Sequence, residues 1–151
     1  MTMKREELHM KKFLQKRLNN EKGLTLVELL AVIVILGIIA AIAVPSIGGI
    51  IDNSRVKAIK ADAQNILSAG NLYFVENSDK TVVTLDELKT GKFIDDAGSF
   101  NGATDVNIKK VAGGNTFTGT GKNGKKQLVI TDKSMTAITA IDNSTTTDVA
   151  P

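Results

Sequence analysis

The sequence predicts an α+β protein: a long N-terminal helix, membrane-spanning in its first half, packs by its second half on a small antiparallel sheet of three to four strands. Three observations carry that reading. The largely apolar run from Leu24 to Val44 carries no charge apart from Glu28 and stops at Pro45. Ile47, Ile50, Ile51, Ile59, Ala63, Ile66, Leu67, Gly70 and Phe74 then recur at helical spacing among charged residues, the pattern of a helix with one buried face. Beyond residue 104 the helical period gives way to clusters of β-branched residues separated by turn sequences, which is how short antiparallel strands read.

The chain has 151 residues. With the first fifty or so taken by a leader and an apolar helix, about a hundred remain, enough for one small domain and too few for a large enzyme core. There is no cysteine, and the single histidine is His9. Disulfide, thiolate and Cys/His metal chemistry are therefore excluded, as is a Ser-His-Asp arrangement in a chain that has lost its leader. No cofactor and no metal ligand set is expected. The net charge of +3 conceals an asymmetry, because residues 1–23 hold seven Lys or Arg against three Glu and the rest holds twelve against thirteen. A basic leader stays in the cytoplasm by the positive-inside rule, a bias that Arg55, Lys57 and Lys60 beyond the span weaken slightly. The near-neutral remainder offers little attraction for nucleic acid.

Taken in order, residues 1–23 form a basic leader that is removed. Residues 24–51 form the transmembrane and assembly helix. The twenty-one residues from Leu24 to Val44 make roughly 31 Å of helix, matching the hydrocarbon thickness of a bilayer. An ordinary secretory signal is the competing reading, since Ala41-Ile42-Ala43 has the form of its cleavage site, but the apolar stretch is too long and Glu28 has no place there. An ionisable group inside a span is costly, so Glu28 is expected to have a partner and a task. Pro45 removes one backbone donor and crowds the preceding turn, predicting a kink or a loosened segment.

Residues 52–142 form the α+β head, which includes the amphipathic half of the helix; Asn77-Ser78-Asp79 ends that helix. Thr84-Leu85-Asp86-Glu87 has capping-box spacing and Gly91 reads as a C-terminal stop, giving a short second helix. Strands are expected over 105–112, 116–120, 126–131 and 135–141, with Gly113-Gly114-Asn115, Asn123-Gly124 and Asp132-Lys133-Ser134 as turns. Their apolar face is to be covered by the stripe from Ile59 to Phe74. Residues 143–151 read as a polar, mobile tail.

Within the head, Gly119-Thr120-Gly121-Lys122-Asn123-Gly124-Lys125-Lys126 nearly matches a phosphate-binding loop. It lacks the final Ser or Thr and leads into a strand, whereas such a loop must open a helix whose N-terminus holds the anion. It reads as a hairpin with a basic tip. Asp95, Asp96 and Asp105 lack the alternating oxygen ligands of a calcium loop and read as solvated charges. Asn143-Ser144-Thr145 is a glycosylation sequon.

From Gly23 through Pro45, the order basic leader, Gly23, Leu24, Thr25-Leu26-Val27-Glu28, apolar run, proline resembles the N-terminus of the type IV pilin family, including the pseudopilins of type II secretion and DNA uptake. The resemblance implies cleavage after Gly23 by a prepilin peptidase and methylation of the new N-terminus at Leu24. It implies that Glu28 pairs with the amine of a neighbouring Leu24, and that Gly37 and Pro45 bound a segment able to loosen in the fibre. The partners implied are further copies of the chain in a helical filament, an assembly platform with its ATPase, and membrane lipid before assembly. The localisation implied is the cytoplasmic membrane, then an extracellular filament. Two departures are Leu24, where the family usually has Phe, and a leader longer than in the commonest subclass. The implied function is that of a structural subunit, the major pilin of a surface filament; the alternative is a pseudopilin of a type II secretion or competence DNA-uptake machine, where alone nucleic acid would be a partner. Absence of cysteine argues against the disulfide-bearing uptake form. An unassembled single-span anchor and an enzyme rank below both.

Overall fold

The structure, a computed structural model, describes Lys12 and residues 25–149. The rest of the leader, the Gly23-Leu24 junction and the last two residues lie outside the described residues. The chain divides into two compact units, Met1–Ser46 and Ile47–Pro151, and helix α1, Leu26–Glu76, contributes to both.

In the first unit α1 is apolar on every side, and its helical assignment runs on through Gly37 and Pro45. Among the described residues of this unit none of its side chains is buried.

In the second unit a five-stranded antiparallel sheet has its strands in chain order. They are β1 (Val82–Thr84), β2 (Asn107–Lys109), β3 (Thr116–Asn123), β4 (Lys126–Lys133) and β5 (Thr147–Asp148). Short helices α2 (Leu85–Thr90) and α3 (Met135–Thr139) and two 3-10 turns, Gly98–Phe100 and Asn143–Thr145, join them. The predicted stripe of α1 is the core-facing one: Ile59, Ala63, Ile66, Leu67 and Phe74 are buried with Val83, Ile108, Phe117, Leu128 and Ile130 of the sheet. Leu85, Leu88, Phe100 and Ile138 close its edges. The period near 3.6 on the helix and the period of 2 on β3 and β4 thus meet at one dry interface, the packing that stabilises an α+β layer.

That interface is close because glycines line it. A Cβ on Gly70 would stand 3.1 Å from Ile108, and one on Gly121 would stand 2.6 Å from Ile59 Cγ2 and 2.7 Å from the Phe100 ring. A strand glycine often marks such a close approach. The hairpin reading of 119–126 holds, since Asn123 pairs with Lys126 across Gly124-Lys125, and Gly124 takes φ +57°, which the first central position of a primed turn demands.

The sheet differs from expectation at both ends. Residues 135–141 do not form a strand; 135–139 form helix α3, with Ser134 Oγ accepting from Ala137 N at 3.4 Å. Met135, Ile138 and Ile141, spaced by three, pack on the core, and that helical spacing outweighs the β-branched composition. The segment 143–151 is not a free tail through residue 149: Thr147 and Asp148 pair with Gln127 and Lys126 as β5. Strand β1 was hidden in a three-residue run whose last member, Thr84, also caps α2. The capping box there is complete, Glu87 Oε2 accepting from Thr84 N at 2.8 Å and Thr84 Oγ1 accepting from Glu87 N at 3.3 Å. Helix α2 ends before Gly91, but Gly91 has φ −76° and the left-handed residue is Lys92 at φ +58°. Glycine is needed at 91 for room, because a Cβ would meet the Phe93 ring at 2.8 Å.

Candidate functional site

The site is the first half of α1. From Leu26, 84% exposed, through Ile42 at 70% and Val44 at 67%, its large apolar side chains are exposed. Among the described residues it is the single helix long and apolar enough to cross a membrane. A helix apolar all round belongs in lipid or among other helices.

Glu28 is the one charge on that surface between Leu26 and Ile51, and it sits in the first turn of the helix. Its Oε2 accepts from Thr25 N at 2.7 Å and from Thr25 Oγ1 at 3.0 Å. Thr25 Oγ1 in turn accepts from Glu28 N at 3.2 Å, while Thr25 O accepts from Leu29 N at 3.1 Å. This is a reciprocal capping box, the same arrangement as Thr84 with Glu87. Its signal, Thr-x-x-Glu, stands in the sequence at 25–28 as plainly as at 84–87. The box explains how the helix tolerates the carboxylate: the charge lies at the positive end of the helix and satisfies a backbone donor that would otherwise be orphaned.

Gly37 and Pro45 lie within α1, and a Cβ on Gly37 would meet nothing within 4 Å. Gly23 and Leu24, the expected cleavage and methylation pair, lie outside the described residues. The structure therefore brings Glu28 together with Thr25.

Among the described residues no group of three or more His, Cys, Asp or Glu could hold a metal ion. Asp96 Oδ1 accepts from Gly98 N at 2.9 Å and from Asn101 Nδ2 at 2.6 Å, and these bonds hold its carboxyl below the usual range. Asp105 Oδ2 accepts from Thr120 Oγ1 at 2.6 Å in an open depression of about 310 Å³ that Lys122 and Gln127 also line. Asn143 of the sequon turns onto α1, its Nδ2 donating to Asn53 Oδ1 at 3.3 Å.

The described residues thus present an exposed apolar helix with one carboxylate in its first turn, long and apolar enough to cross a membrane, together with a small α+β head. Residues 18–44 match the family model described as the prokaryotic N-terminal methylation motif. The chain is also similar to the type II secretion system core protein G of Pseudomonas aeruginosa, 39% identical over 57 residues that are 38% of this chain and 40% of the relative. The protein of the same description from Klebsiella michiganensis is 36% identical over 62 residues, 41% of this chain and 44% of the relative. The chain thus covers about two fifths of the length of the curated relatives it matches. No solved structure matches it. Over its N-terminal helix the chain is thus similar to proteins bearing the N-terminal methylation motif and to type II secretion core proteins, matches that support the type IV pilin and pseudopilin resemblance of this segment.

Proposed function

We propose that the chain is the major structural subunit of a type IV pilus-like surface filament and has no catalytic activity. It enters the cytoplasmic membrane by residues 24–51 with its leader on the cytoplasmic side, and a prepilin peptidase cuts after Gly23. The amine released at Leu24 is methylated. An assembly platform with its ATPase then lifts the subunit into a fibre whose core is the bundled helices. The observation that carries this reading is the unburied apolar surface from Leu26 to Ile51 with Glu28 as its lone charge.

In such a bundle the Leu24 amine of an entering subunit meets the Glu28 of one already in place. Protonated at neutral pH, since a free α-amino group titrates near about 7.7 to 8, it neutralises that carboxylate. Gly37 and Pro45 bound the stretch where helical bonding is weakest and where the helix loosens on packing.

A second reading, a pseudopilin of a type II secretion machine, is favoured by the description that both curated relatives carry. Electron microscopy of sheared surface material, with mass spectrometry of its main protein, decides between them. Long fibres made of this chain, beginning at a methylated Leu24, are expected; absence of the chain from surface fibres supports the pseudopilin. An N-terminus at Val44 would establish a secretory signal and end both readings.

A further inference from the structure

We infer that the tip of the β3–β4 hairpin is a membrane-surface contact, seating the head on anionic lipid headgroups while the subunit is still in the bilayer. The inference rests on the reading of residues 24–51 as a membrane span. Every residue it uses lies in the unit Ile47–Pro151. There α1 begins with Ile47, Ile50 and Ile51 exposed, continuing the apolar surface, and Asp52 and Arg55 follow within about one turn of 5.4 Å.

The hairpin reaches that same turn. A Cβ on Gly124 would lie 2.8 Å from Arg55 Nε, and Lys126 Nζ stands 3.7 Å from Asp52 Oδ2. The tip is therefore at the level where apolar helix gives way to polar head, which in an inserted chain is headgroup depth.

Charge at this level is unbalanced. Arg55 Nη1 pairs with Asp52 at 3.0 Å and Lys126 with Asp148 at 2.6 Å, so those cations are answered locally. Lys57, Lys122 and Lys125 are exposed, and among the described residues none of the three forms an ion pair. Of the other acids nearby, Asp105 accepts from Thr120 in the depression beside Lys122, Asp142 accepts from Ser144 N at 2.8 Å and faces Lys60, and Asp148 attracts Lys125 only at longer range than it does Lys126. Flexible cations next to an apolar helix end suit lipid phosphates. A nucleic acid would need a longer basic track than this chain provides, with twelve Lys or Arg against thirteen acids beyond residue 23.

The test uses the full chain, processed and inserted in nanodiscs of neutral phosphatidylcholine or of the same lipid with about a third phosphatidylglycerol, followed by amide hydrogen exchange. Backbone exchange over residues 122–127 should slow in the anionic discs, with each lysine contributing about a fivefold factor. It should return to the neutral-disc rate in about 0.5 M salt, where screening is nearly complete. Lys122→Gln with Lys125→Gln should abolish the slowing, while exchange over Ile59–Leu67 stays as slow as before and reports an intact core. Equal exchange in the two discs overturns the inference, and so does slowing produced by duplex DNA in neutral discs but not by anionic lipid. If the variant loses its core protection, the salt arm on the unaltered chain still decides. A chain that does not enter the discs refutes the membrane span itself, and the inference with it.

Discussion

Replacing Glu28 by glutamine and, separately, by alanine divides the capping job that the structure gives this side chain from the charge pairing proposed for it. Glutamine keeps an acceptor for Thr25 N, 2.7 Å from Oε2 in the native chain, so the capping box survives. Alanine removes both the box and the charge. If the box alone mattered, glutamine would assemble normally and alanine would lose at most about 1 kcal/mol, the usual worth of a cap. If the carboxylate instead neutralises the Leu24 amine of a neighbour, either substitution strands a buried cation at about 3 to 5 kcal/mol. Incorporation would then fall by about two to three and a half orders of magnitude, since each 1.4 kcal/mol is tenfold. The assay expresses each variant as the sole copy of the chain and compares immunoblots of sheared fibres with the membrane pool, where the shift from leader-bearing to mature chain reports cleavage. Both variants should be cut after Gly23 and both should be missing from fibres. Normal fibres from Glu28→Gln would refute charge pairing, and uncut Glu28→Gln would assign the carboxylate to recognition by the peptidase.

The remaining predictions concern the head. Gly121→Ala places a methyl against Ile59 and Phe100 and should cost about 1 to 3 kcal/mol by overpacking, read as a lower denaturant midpoint, whereas Val129→Ala on the exposed face should change little. Thr84→Ala opens the capping box of α2 and should cost about 1 kcal/mol in the same measurement. Acid should weaken the head. Glu87 is held below its ordinary value by the Thr84 N–H and hydroxyl, and Asp148 by its hydrogen bond and charge pairing with Lys126. Groups with depressed folded values stabilise fully above their unfolded pKa and lose that contribution as pH falls through the folded one. A thermal melt series should therefore decline below the ordinary carboxylate range, and a melting temperature constant down to strong acid would contradict these contacts.

What could be read from the sequence is what is local. The apolar helix up to Val44, the stripe from Ile59 to Phe74, the cap at Thr84 and the hairpin at Asn123-Gly124 each follow from period, cap or turn chemistry within one continuous stretch of chain. The box at Thr25 and Glu28 was equally local and could have been recognised by the same rule. Tertiary structure alone decided the rest, because it depends on partners far away in the chain. Strand β1 exists because Val83 meets Ile108, and β5 because Thr147 and Asp148 reach Gln127 and Lys126; three- and two-residue strands have too little pattern of their own. Residues 135–139 became a helix because Ser134 caps them and Ile138 buries itself in the core, overriding a β-branched composition whose preference is weak outside its packing context. The need for glycine at 121, and the tight fit at 70, are likewise invisible until α1 lies against the sheet and Ile59, Phe100 and Ile108 crowd the space a Cβ would take.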